Sequence, residues 1–188
     1  MVSRSRKWQY AVLNVDTTTC TIVPETCLST EDARALPAFS EDHDNDASPD
    51  ATPYAHLLAR LPRDHARFIL YDLAYAVPRD AAAGGGADDE MVMRTSSRLV
   101  LITWCPDDAP VRERMLFASS KAGLVQSLEN APCGFGGALV QASDWDDMTS
   151  LVEMAREAVG VKGPDLTIVH ANGVHEKQSG RTLCAKEE

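Results

Sequence analysis

Residues 99–129 read Leu99-Val-Leu-Ile-Thr-Trp104-Cys-Pro-Asp-Asp-Ala-Pro110-Val-Arg-Glu-Arg-Met-Leu-Phe-Ala-Ser-Ser-Lys121-Ala-Gly-Leu-Val-Gln-Ser-Leu-Glu129, and the fold turns on this stretch. Leu99 to Ile102 is an apolar run that a β-favouring Thr-Trp pair extends to Trp104, as expected of a central strand. Pro106 and Pro110 bracket a turn. Val111 to Glu129 then holds no proline and one glycine, enough for a helix of roughly five turns. A buried strand feeding a long helix implies a sheet with helices layered on it.

The helix is two-natured. Arg112, Met115, Ser119, Ala122 and Gln126 recur at spacings of three and four and share one stripe. That stripe mixes a cation, a thioether, a hydroxyl, a methyl and an amide, so it is neither a core face nor a fully charged one. Phe117, Leu124 and Leu128 form a second, core-like stripe interrupted by Lys121. Ser119-Ser120 can bond back onto carbonyls of the preceding turn and bend the helix. A bend would let its first half expose Arg112, Arg114 and Met115 while its second half buries leucines. Two readings remain open on pattern alone: a core helix with snorkelling cations, or a helix offered to a groove on a protein partner, with Met adapting its shape and Arg supplying forked hydrogen bonds.

Upstream, Trp8 to Val15 and Cys20 to Val23 read as a hairpin across Asp16-Thr-Thr-Thr19, with Pro24 closing the second strand. Residues 25–50 shift to a polar, acid-rich composition and read as a solvated insertion. Thr52-Pro53 opens a short helix carrying Tyr54, Leu57, Leu58 and Leu61, which Pro62 ends. Arg67 to Val77 is a second central strand. Residues 78–97, with Gly84-Gly-Gly86 beside Asp88, Asp89 and Glu90, read as a flexible connection. They are not a phosphate cradle, because the acids would repel the anion. Downstream, Ala138 to Ala142 is a strand, and Ser143 or Asp144 caps a last helix with Met148, Leu151, Val152, Ala155 and Val159 inward. Residues 161–188 read as a flexible tail. The order β-β-α-β-β-α-β-α predicts an α/β (α+β) fold, a mixed central sheet flanked by helices.

The 188 residues suit one domain. A net charge of −10 disfavours nucleic acid and anionic membranes as partners. Residues 91–130 are the exception: Arg94, Arg98, Arg112, Arg114 and Lys121 outweigh four acids there, leaving a segment charge of +1. Those cations could also pair with Glu113 and other surface acids. No run of about 18 apolar residues is present to span a bilayer. The five cysteines, Cys20, Cys27, Cys105, Cys133 and Cys184, include no close ligand pair, so reduced thiols and no metal site are expected, with Cys105 buried. The five histidines, His43, His56, His65, His170 and His175, form no recognisable nucleophile motif, and no enzyme or cofactor is expected.

Trp104 to Lys121 closely resembles the start of the long helix of the ADF/cofilin actin-depolymerising proteins. Arg67-Phe-Ile-Leu-Tyr-Asp72 with Tyr75 resembles their central strand. Ala51 to Pro62 resembles their short helix, and Val140-Gln-Ala-Ser-Asp-Trp145 their last strand and helix entry. The likeness covers residues 7–160, with insertions at 25–50 and 78–97. It implies an ADF-homology (gelsolin-like) fold and a monomeric actin-binding protein of the cytoplasm and actin cytoskeleton. Such a protein works without a cofactor and promotes filament depolymerisation. The resemblance carries actin contact over to Arg112, Arg114, Met115, Ser119, Ser120 and Lys121, and filament contact to Arg98, with Arg94 compensating for Ser96.

Three departures bear on filament binding. With the first strand beginning near Trp8, most of the family's amino-terminal helix is expected to be missing from this sequence, through an incomplete start or through divergence, and Ser3 and Ser5 stand near its phosphorylatable serine by location only. The loop between the central strands is longer and acidic. Ser150, Leu151 and Met154 replace charged filament contacts, each worth about 1.5–3 kcal/mol where well made. Monomer binding is therefore expected to survive better than filament decoration. A glia maturation factor-like or coactosin-like protein, binding a branching complex or filaments without depolymerising them, is the alternative.

Overall fold

A computed structural model describes residues 7–36, 52–78, 93–132, 135–149, 155–156, 158, 167–169 and 175–177. Its elements are β1 (Trp8–Asp16), β2 (Thr21–Ser29), α1 (Thr30–Ala35), α2 (Pro53–Arg60), β3 (Arg67–Pro78), β4 (Met93–Trp104), α3 (Val111–Asn130), β5 (Phe135–Ala142), α4 (Trp145–Thr149), β6 (Thr167–Val169) and β7 (His175–Lys177). The sheet runs β2-β1-β3-β4-β5. It is mixed, as expected: β1, β2, β3 and β4 pair antiparallel, and β4 with β5 parallel.

The period of two along the strands divides the core between the two faces. Tyr10, Val12, Ile69, Tyr71, Leu73, Val100, Ile102, Trp104, Ala138 and Val140 point to one side, where α1, α2 and α4 contribute Ala33, Leu57 and Met148. Val15, Phe68, Leu101 and Phe135 point to the other. There α3 supplies Phe117, with Leu116, Leu124, Val125 and Leu128 packed around it. One helix thus covers one face while three shorter ones share the opposite face.

Local chemistry sets the shorter helices. The Thr52 hydroxyl accepts from the Ala55 amide at 3.1 Å, and Pro53 occupies the first turn of α2, as the sequence predicts. Asp147 reaches back to the amides of Ser143 and Asp144, each at 3.2 Å, at the start of α4. Met148, Ala155 and Ala158 are buried. None of the described helices is long and apolar enough to cross a membrane.

Several expectations are corrected. Pro24 does not end the second strand: β2 continues to Ser29, and α1 follows inside the span read as insertion. A proline is tolerated because β2 is the edge strand. The register slips there as well, with Val12 opposite Thr26 and Leu13 opposite Pro24, which leaves Glu25 as the extra residue of a bulge. Residues 93–97 are strand, since β3 and β4 stay in register from Arg67↔Trp104 out to Pro78↔Met93. The span 161–188, expected as a tail, contributes β6 and β7. β1 pairs with β3 from Phe68 to Tyr71, and β6 takes over at Tyr75 and Ala76. Three-residue strands carry too little periodicity to be read from sequence. Ser3, Ser5, the acidic run 41–50, the glycine run with Asp88, Asp89 and Glu90, and Ser150, Leu151, Val152, Met154 and Val159 lie outside the described residues.

Candidate functional site

Packing on the sheet fixes which side of α3 faces out. Phe117 is buried and stacks on Phe68. The opposite stripe, Arg112, Met115, Ser119, Ala122 and Gln126, is exposed at every position. Met115 keeps 69% of its surface and Val111 keeps 64%, the two largest exposures among the exposed large apolar residues described. Val111 and Met115 lie one turn apart and form an exposed apolar pair beside Arg112, so this face is the candidate interaction surface.

α3 is one unbroken helix of 20 residues. Ser119 donates to the carbonyl of Leu116 at 2.9 Å, the back-bond expected of it. The split between the exposed stripe and the packed Phe117 and leucines runs between faces of the same helix, however, and not between two halves, so no bend is needed to explain it. Ser120 is half-buried, at the border between the faces.

The cations have distinct settings. Arg112 donates to the backbone carbonyl of Thr17, in the β1–β2 turn, at 3.1 Å. Arg114 lies 3.8 Å from Asp107, a loose surface pair worth little. Lys121 lies on the core-like side and sends its ammonium out to the Gln141 side chain on β5, at 2.9 Å. Arg98 donates to the carbonyl of Gly136 at 2.9 Å. Arg94 lies opposite Val77 in the β3–β4 ladder. The helix residues therefore share one element, whereas Arg94 and Arg98 stand on the neighbouring strand.

Glu113 overturns one expectation. It is buried and does not serve as a surface partner for the helix cations. Its carboxylate accepts from the Ala66 amide at 2.6 Å and lies 2.9 Å from His65 Nδ1 and 3.4 Å from Arg67. Arg67, itself buried, also pairs with Glu25, the bulge residue of β2. This network pins the first turn of α3 to the start of β3. Sequence reading missed it because Glu25 and Glu113 lie 42–48 residues from the partners they bond at the start of β3 and share no motif with them.

Cys105 is half-buried, less than expected. Burial pushes its thiol pKa up, while the Arg114 charge pulls the other way. It lines a cavity of about 320 Å³ between α3 and the ends of β4 and β5, with Phe117, Lys121, Gln141 and Ser143. His56 lies 2.7 Å from the Tyr10 hydroxyl, so both described histidine side chains, His56 and His65, have structural partners.

Residues 2–152 match the profile of a family described as cofilin/tropomyosin-type actin-binding protein. A cofilin of Yarrowia lipolytica is 37% identical over 75 residues, which are 40% of this chain and 41% of that one. A cofilin of Cryptococcus neoformans is 28% identical over 119 residues, 63% of this chain and 69% of that one. The chain thus spans about two fifths of the first relative's length. Among solved structures, a Streptomyces griseoflavus cofilin superposes with a TM-score of 0.51 at 21% identity, covering 82% of this chain and 85% of that one. The ADF-like UNC-60A protein of Caenorhabditis elegans does so with 0.52 at 19% identity, covering 81% and 82%. Human coactosin-like protein reaches 0.50 at 15% identity, covering 87% and 83%. At these identities the superpositions speak to fold alone.

Proposed function

The chain belongs to the cofilin/tropomyosin-type actin-binding family, and from that premise we propose that it binds actin monomers through the exposed stripe of α3 and promotes filament depolymerisation and turnover. The domain responsible spans residues 7–160. Of the proposed contact residues, Arg112, Met115 and Ser119 lie on that stripe, Arg114 and Ser120 are half-buried beside it, and Lys121 reaches outward from the core-like side. The observation that carries this reading is the outward display of Met115 and Val111 on a helix whose other face is packed. An adaptable thioether flanked by Arg112 and Arg114 suits a protein groove with acidic margins. We assign a binding role without catalysis or cofactor, in the cytoplasm at the actin cytoskeleton, and a monomeric state.

Filament binding is proposed to be the weaker activity. Ser150, Leu151 and Met154 stand where the resemblance places charged filament contacts, so fewer charge-assisted bonds to a filament can form. The second reading is a glia maturation factor-like or coactosin-like protein that binds a branching complex or filaments without depolymerising them, and weakened filament contacts favour its branching-complex form. Two measurements test the pair: co-sedimentation with filaments at rising salt, and the rate of nucleotide exchange on monomers. Slowed exchange with salt-sensitive pelleting supports the first reading. Stoichiometric pelleting that persists at high salt, without effect on monomers, supports the second.

A further inference from the structure

We propose that the β1–β2 turn, Asp16–Cys20, forms part of the actin-docking surface, and that Arg112 is the positioning residue that holds it beside α3. The proposal rests on actin docking at the exposed face of α3 and extends that face onto a second element.

The turn is built as a rigid unit. One Asp16 carboxylate oxygen accepts from the Thr18 amide at 2.8 Å and the other from the Thr19 hydroxyl at 2.7 Å. The Cys20 amide closes onto the Asp16 carbonyl at 2.8 Å, and Cys20 takes a left-handed φ of 55°. The Thr19 hydroxyl also lies 2.7 Å from that of Thr21. A turn fixed in this way loses little conformational freedom when it meets a partner. Both oxygens of Asp16 accept hydrogen bonds within the turn, and residues 17–20 offer hydroxyls and a thiol, with Thr18, Thr19 and Cys20 exposed.

The turn and the helix are one body. Val15 and Ile22, on either side of the turn, pack in the cluster that holds Phe117 and Leu124 of α3. Arg112 then ties the helix surface to the turn through the Thr17 carbonyl, across 95 residues of sequence. A guanidinium suits this task because its donors point in fixed directions, so one can hold a carbonyl while the others face outward. Val111 and Met115 are exposed on the same stretch of helix. A partner covering them and Arg112 meets a surface that continues onto the turn.

The test compares affinities for monomeric actin by fluorescence titration, with unfolding midpoints measured alongside. Thr18→Trp and Met115→Glu are each expected to weaken binding about tenfold with an unchanged midpoint. Arg112→Ala and Asp16→Ala are each expected to weaken it, and the double variant no more than the stronger single, because both act through the placement of the turn. Wild-type affinity of Thr18→Trp beside a defective Met115→Glu overturns the turn's part in docking and leaves the α3 reading standing. Additive losses for Arg112→Ala and Asp16→Ala overturn the positioning role. Wild-type affinity for both Met115→Glu and Thr18→Trp removes the α3 reading and this inference with it. If Thr18→Trp lowers the midpoint, Thr18→Gln is judged by the same criterion.

Discussion

The ring of Phe117 on α3 stacks on that of Phe68 on β3, with centroids 4.0 Å apart and planes 15° from parallel. This contact sets the rotation of α3 about its own axis. Two residues earlier, Met115 is therefore carried to the solvent side.

Replacing Phe117 by alanine is expected to cost about 3–5 kcal/mol of stability, since it removes a buried aromatic and leaves a cavity against Phe68. Met115→Ala, on the exposed face, is expected to change stability by no more than about 0.5 kcal/mol. Urea unfolding of the two variants checks both figures. Equal losses would mean that Met115 is packed.

Glu113→Ala leaves the Ala66 amide without its acceptor and Arg67 with Glu25 as its remaining carboxylate partner. The expected loss is about 2–3 kcal/mol, that of a buried charge-assisted bond. Urea unfolding reads it, and a loss under about 0.5 kcal/mol would place Glu113 at the surface.

The Thr19 hydroxyl, and after it the Thr18 amide, hold the Asp16 carboxyl below its ordinary pKa. A depressed carboxylate pKa contributes order that is present above the unfolded value and is lost as pH falls through the folded one. NMR titration should find Asp16 titrating below the usual carboxylate range, and Thr19→Ala should move it back up. An ordinary value in the wild type would mean that the turn is open in solution.

Cys105 should alkylate more slowly than Cys20 and Cys27, which are exposed, because burial disfavours its thiolate. Timed iodoacetamide labelling with peptide mapping gives the order. Cys105 reacting first would contradict its packing.

Much of this architecture is legible in the chain. Apolar runs at 67–77 and 99–104 are long enough to announce central strands, and Thr52-Pro53 announces α2, because each signal is local. The stripe of α3 was legible as well, down to Lys121 interrupting the leucine side, where it reaches Gln141. The rest depends on tertiary placement. Pro24 reads as a strand end unless β2 is known to be an edge. The short strand β6 finds its place only against β3. Thr17 enters the site through a backbone carbonyl, which side-chain identity does not reveal. Glu113 looks like a surface acid in a helix first turn until Ala66, His65 and Arg67 are brought against it.

The central claim is that the exposed face of α3 binds actin. It is tested most directly by the affinity of the purified chain for ADP-bound actin monomers, measured with and without the double substitution Arg112→Ala and Arg114→Ala. The account predicts binding that slows nucleotide exchange in the wild type and falls about a hundredfold in the variant, at an unchanged unfolding midpoint, if each arginine contributes about 1.4 kcal/mol. A folded variant that binds and slows exchange as well as the wild type would contradict it.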